Sequence, residues 1–145
     1  MGSQATGDAS YPSALTAFEQ SLGLRLGRPE EGSDAVVVLL EPGDHLRGPS
    51  GSVEGGVVAT MADVAGAAAA ARALGGVVAT QQMSISFTHP AREGPIRATG
   101  VPVRVGRSDA VAEVRIEDLG RDGRLVAVAL VTIKSLGGPR PAAGS

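Results

Sequence analysis

The chain has 145 residues, 43% of them hydrophobic, with 13 basic against 15 acidic residues for a formal net charge of −2. That length suffices for one domain with a real core, and the near-balanced charge gives no reason to expect nucleic acid as a partner. With no cysteine present, a disulfide, a thiolate nucleophile and a cysteine metal site are excluded.

Residues 1–10 are small and polar and read as a disordered tail. The domain is expected over 11–136. From Pro12 to about Leu22, Leu15, Phe18 and Leu22 recur at helical spacing, with Pro12 suited to the first turn. No basic region followed by an apolar run opens the chain, so no signal peptide is expected and the cytoplasm is the expected location. Gly23 and Gly27 bracket a brief strand. Ser33 to Glu41 contains Ala-Val-Val-Val-Leu-Leu, a buried strand by length and β-branching. Pro42-Gly43-Asp44 breaks it, and a loop rich in Gly, Pro and Ser leads to Glu54.

A long helix is predicted from about Gly55 to Leu74, ending at Gly75-Gly76. Val57, Met61, Val64, Ala68 and Ala71 form its expected apolar stripe. Thr60, Asp63, Gly66, Ala67 and Ala70 form a flank of mostly small residues, open to a ligand or another backbone. The run Ala65 to Ala73 is too short to span a bilayer, and no membrane partner is expected.

Four strands should follow. In Val77 to Thr88, Met83, Ile85 and Phe87 alternate with Gln82, Ser84, Ser86 and Thr88. Pro95 to Val105 changes parity at Gly100-Val101, the mark of a β-bulge. In Ala110 to Glu117, Val114 and Ile116 alternate with charged residues, and Asp122-Gly123 marks a turn. Arg124 to Lys134 is almost continuously apolar and reads as a central strand, and 137–145 is a tail. Aromatics are confined to Tyr11, Phe18 and Phe87, so the core is Val, Leu, Ile and Ala. The order is α+β: one long central helix against an antiparallel sheet whose edge and polar Val77–Thr88 face await a partner. Dimerisation edge to edge would supply one.

The stretch that carries chemistry is Val53-Glu54-Gly55-Gly56 running into the helix that bears Asp63. A glycine turn lets a ligand approach the backbone. A helix start leaves unpaired N–H groups that favour negative charge. An acid two turns further in is not needed as a cap, and it can act as base or nucleophile. Glu54 suits the helix N-terminus electrostatically, or serves as a second carboxylate holding water. Arg104, Arg107 and Arg92 are candidates for phosphate recognition, against the plain reading of solvated arginines. His45 and His89 fall in no metal-ligand spacing, and neither is expected to be catalytic. No metal and no cofactor is implied.

Four features in order, Glu54-Gly55-Gly56 with Asp63, Ile85-Ser86-Phe87-Thr88-His89-Pro90, Val105-Gly106-Arg107 and Asp122-Gly123-Arg124-Leu125-Val126-Ala127, carry a resemblance over roughly residues 33–135. The chain resembles the hotdog-fold acyl-CoA thioesterases, in particular the phenylacetate-pathway (PaaI-like) group and the 4-hydroxybenzoyl-CoA thioesterase of the same helix-acid type. The resemblance implies hydrolysis of an acyl-CoA or acyl-pantetheine thioester at sites spanning a homodimer interface, usually within a homotetramer. It implies Asp63 as base or nucleophile and the Gly55 N–H as oxyanion donor. Thr80, from the partner's strand, would help to position the nucleophile or water. The chain departs from the family twice. Glu54 stands where His usually precedes the glycine pair, and Gly48 stands where Asn or Gln is usual, in a chain with no Asn at all. These departures raise the alternative of a non-catalytic acyl-CoA-binding protein. A hotdog hydratase or dehydratase, which typically uses Asp and His close together on this unit, ranks lower.

Overall fold

In the computed structural model, which describes residues 15–138, the elements follow in the order α1 (Ala17–Ser21), β1 (Leu24–Leu26), β2 (Val36–Leu40), α2 (Gly55–Leu74), β3 (Val77–Phe87), β4 (Ile96–Val105), β5 (Asp109–Asp118) and β6 (Arg124–Gly137). The expected tail at 1–10, Pro12 and residues beyond 138 lie outside the described residues. The strands form one antiparallel sheet in the order β1-β2-β4-β5-β6-β3. The sheet curls around α2, the arrangement of the hotdog fold.

Small residues let the sheet close on the helix. A Cβ on Gly100 of β4 would lie 2.4 Å from the Ala65 carbonyl oxygen of α2. One on Gly66 would lie 2.9 Å from Val131 Cγ2. Leu40, Met61, Ile96, Ile116 and Ile133 fill the remaining core. By length and composition α2 could cross a membrane, but it is largely buried as the core helix of this fold. It ends where Gly75 takes a φ of 76°, as the glycine pair predicted.

Four expectations require correction. The described helix α1 begins only at Ala17: Leu15 and Thr16 precede it, and Thr16 caps it. Glu19 N–H donates to Thr16 Oγ1 (3.1 Å) and Thr16 N–H donates to Glu19 Oε1 (2.9 Å), a capping box that periodicity overlooks. On α2, Val58 is buried while Val57 packs half-buried against the core's margin, and Gly66 and Ala70 of the small flank are buried. The reason is that the curled sheet covers most of the helix, so no single stripe defines its inner face. The β4 bulge falls between Pro102 and Arg104, not at Gly100-Val101. The change of parity there instead reflects outward-facing valines: Val101, Val103 and Val105 are 37%, 56% and 48% exposed. Finally, β6 runs past Lys134 to Gly137, because β3 pairs with it as far as Val77↔Gly137. It is interior, as expected, flanked by β5 and β3.

Candidate functional site

The glycine turn is set by its neighbours. Residues 47–53 form a tight loop: Arg47 and Val53 pair as an antiparallel bridge, Gly48 N–H donates to the Ser52 carbonyl (2.9 Å), and Gly51 N–H donates to that of Gly48 (3.0 Å). Val53 N–H then reaches the Ala91 carbonyl (2.8 Å) and Glu54 N–H that of Leu46 (2.9 Å). Glu54, extended at φ −61° and ψ 143°, turns the chain into α2, and its side chain makes no capping bond. Its carbonyl accepts from Val57 and Val58. The N–H groups of Gly55 and Gly56 meet no acceptor among the described residues. They are unpaired donors at the positive end of a helix of 20 residues.

Gly55 opens on a cavity of about 360 Å³, lined by Val53, Val58, Phe87, Pro90, Ala91 and Val126, with Ser52, Thr88 and His89 as its polar members. Phe87, 53% exposed, lies against the turn: a Cβ on Gly55 would sit 3.6 Å from its ring.

A carboxylate that sequence reading missed stands behind this cavity. Asp118 is fully buried at the end of β5. Its Oδ2 accepts from the N–H groups of Arg92 (2.9 Å) and Glu93 (3.0 Å), and its Oδ1 from those of Gly94 (2.8 Å) and Gly120 (3.2 Å). Burial alone would raise its pKa, but these four backbone donors outweigh burial and hold it below the ordinary carboxylate value. Above it, Arg47 Nη1 donates to the carbonyls of Gly51 (2.8 Å) and Arg92 (2.7 Å), and Arg92 Nη1 to that of Ser50 (3.0 Å). Asp118, the 91–94 loop and the 47–53 loop are thus tied into one support for Glu54 and Gly55. One signal in the sequence pointed there. The inward parity of Ala110, Ala112, Val114 and Ile116 continues to Asp118 and puts an acid where the core should be.

Asp63 is differently placed. It is half-buried on the strip Gly56–Thr60–Asp63–Ala67, where α2 is least covered. Thr80 Oγ1 donates to its Oδ1 at 2.6 Å. Within one chain Thr80 thus already meets Asp63, because β3 runs back beside the helix it follows. Eight residues of helix separate Gly55 from Asp63, about 12 Å of rise. One thioester carbon cannot touch both within one chain. Among the described residues β3 has no neighbouring strand on its outer side, since it closes one edge of the sheet.

Glu54 is exposed, and a Cβ on Gly48 would lie 3.6 Å from its Cγ. Glu54 also borders a second cleft of about 220 Å³, together with His45, Phe18, Leu46, Gly56 and Thr60. Of the arginines, Arg92 lies at the Gly55 end of α2, as its contacts require. Arg104 and Arg107 lie in the β4–β5 turn region, beside the C-terminal end of α2, where Ser135 N–H bonds the Ser108 carbonyl and β6 pairs with the start of β3. Arg104 faces Asp109 at 3.4 Å. The three arginines therefore do not converge within one chain. Among the described residues, no three His, Cys, Asp or Glu side chains converge as a metal site.

The family model described as the thioesterase superfamily matches residues 50–127. No curated protein matches in sequence. Among solved structures, AziG of S. sahachiroi is 30% identical at a TM-score of 0.75, over 85% of this chain and 98% of that one. A thioesterase family protein from Silicibacter pomeroyi is 25% identical at a TM-score of 0.77, over 85% and 91%. The E. coli PaaI protein from the phenylacetic acid degradation operon shares the fold at a TM-score of 0.75, with 22% identity over 85% and 86%.

Proposed function

This chain belongs to the thioesterase superfamily, and we propose that it hydrolyses an acyl-CoA, or a similar acyl-pantetheine, at a site shared by two copies of the chain. The observation that carries this reading is the Thr80–Asp63 pair two turns behind the unpaired N–H of Gly55. The chemistry needs both: a donor where the thioester oxygen becomes an oxyanion, and a carboxylate that takes a proton from water or attacks the carbonyl itself. Thr80 holds Oδ1 and leaves Oδ2 to act. Water adds its oxygen to the acyl carbon, the C–S bond breaks, and the thiolate takes up the proton that water gave to Asp63.

The separation of Gly55 from Asp63 supports the shared site. Two β3 edges that pair antiparallel run the two α2 helices in opposite directions. The Gly55 of one copy then stands opposite the Asp63 of the other. The same reversal carries Arg104 and Arg107 of the second copy toward the end that holds Arg92, which supports a role for these arginines with CoA phosphates. A tetramer would be a pair of such dimers.

A second reading has an observation of its own. Gly48 and Glu54, the two departures from the family, lie side by side, so a carboxylate stands where the family has His and no side chain where it has an amide. A protein that binds acyl-CoA without turning it over would follow. Thiol release from a panel of acyl-CoAs, by the protein and its Asp63→Asn variant, decides between the two. Turnover abolished in the variant is expected. Equal background in both proteins would overturn the hydrolase in favour of the binder.

A further inference from the structure

We propose that His89 determines acyl specificity, selecting short acyl groups that carry a hydrogen-bond donor such as a hydroxyl; the proposal rests on the hydrolase reading above. His89 shares the 360 Å³ cavity with Gly55. A thioester whose oxygen lies on the Gly55 N–H must send either its acyl group or its pantetheine arm into that cavity. A pantetheine arm carries two amides and a hydroxyl, which this largely apolar lining would leave unpaired. A short acyl group makes no such demand. The volume lies near the lower end of small-molecule sites, which favours a short chain or a single ring.

The polar members of the lining differ in what they have left to offer. Thr88 Oγ1 gives its proton to the Leu125 carbonyl (2.6 Å) and Ser52 Oγ is bonded to Ser50 Oγ (2.8 Å), so each of these hydroxyls has a partner of its own in the protein, although its oxygen can still accept. His89 Nδ1 also lies 3.0 Å from the Leu125 carbonyl oxygen. A carbonyl only accepts, so Nδ1 is the N–H of the singly protonated tautomer, in which Nε2 is the acceptor. Nε2 has no partner among the described residues. An acceptor fixed by its other nitrogen, in the same cavity as the oxyanion donor, matches an acyl hydroxyl. Because His89 is exposed at the rim, the discrimination is that of a single net hydrogen bond, about fivefold.

The test compares kcat/KM for 3-hydroxybutyryl-CoA and butyryl-CoA in the wild type, His89→Leu and His89→Gln. The wild type should prefer the hydroxylated ester about fivefold, His89→Leu should bring the ratio to near unity, and His89→Gln, which keeps an acceptor, should recover part of it. Hydrolysis of both esters with no preference, or a preference that survives His89→Leu, would overturn the inference and leave the hydrolase standing. If no ester is hydrolysed, the hydrolase reading fails. Dissociation constants of the same two esters for the Asp63→Asn protein and its His89→Leu derivative then decide the inference, by the same ratio.

Discussion

The Gly55 end of α2 is braced by two loops and a buried carboxylate, whereas Asp63, two turns along the same helix, is held by one side-chain hydrogen bond beside an unpaired sheet edge. The contrast has a physical basis. A backbone N–H that must meet an oxyanion is useful only when its direction is fixed, and backbone is fixed by other backbone. Here Asp118 gathers the N–H groups of Arg92, Glu93 and Gly94, Arg47 clasps Gly51 and Arg92, and Ala91 receives Val53. A carboxylate that waits for a second copy of the chain needs less, because the copy completes its surroundings. One end of the helix is finished by folding and the other, in the reading proposed above, by association.

The largest effect should come from removing the brace. Asp118→Asn puts an amide NH₂ where carboxylate oxygens accept backbone N–H groups, and should destabilise the fold by about 3 kcal/mol, read from urea unfolding. The acid limb gives a separate check. The native pKa of Asp118 is depressed, so its contribution is fully present above the unfolded value of about 3.9 and is lost as pH falls through the native value. Stability measured downward from about pH 4 should therefore fall less steeply in Asp118→Asn than in the wild type. Parallel acid limbs would mean that Asp118 is no brace and that the two ends of the helix are less different than they look.

Of similar size is the effect of removing the donor itself. Gly55→Pro removes the N–H with little disturbance elsewhere. Proline suits the first helical position, and Glu54 before it already has the extended conformation that proline demands. Turnover should fall by about 10²–10³, with the urea midpoint nearly unchanged. The same variant tests the sharing of the site. Gly55→Pro keeps Asp63, and Asp63→Asn keeps Gly55. When the two inactive proteins are unfolded together and refolded, about half the dimers are mixed, and each has one whole site of two, so about a quarter of wild-type turnover should return. No return would mean that donor and acid do not meet across two copies.

Much of this was legible in the sequence, and the contrast between the two ends explains what was not. The bounds of α2 follow from Gly55 and Gly75-Gly76 because glycine acts locally. The strands of the sheet follow from their alternation, which is also local. Asp63 and Gly55 stand out through the order of motifs. Asp118 did not, because three of its four partners come from the 92–94 loop, some 25 residues before it in the chain, and all four are backbone N–H groups that no side-chain pattern records. The burial of Val58 beside the half-buried Val57 is not legible, because a helix wrapped on most sides has no one apolar face to read. The Thr80–Asp63 contact is not legible, because nothing in a sequence says on which side of a strand its own preceding helix lies.

The smallest effect should come from the looser end. Thr80→Val keeps the shape of the side chain and the β-branching that suits β3, and removes only the 2.6 Å bond to Asp63. Both groups are open enough to exchange that bond for water, so thermal stability should change little. Turnover should nonetheless fall, because an Asp63 carboxylate free to rotate spends less time aimed at the substrate. A net hydrogen bond of about 1 kcal/mol implies a fall of about fivefold in kcat, with KM nearly constant. Thr80→Ser, which keeps the hydroxyl and drops the methyl, should recover most of the loss. If Thr80→Val instead lowers the melting temperature as Asp118→Asn does, the Asp63 end is part of the folded scaffold after all. The division between an end finished by folding and an end finished by association would then fail.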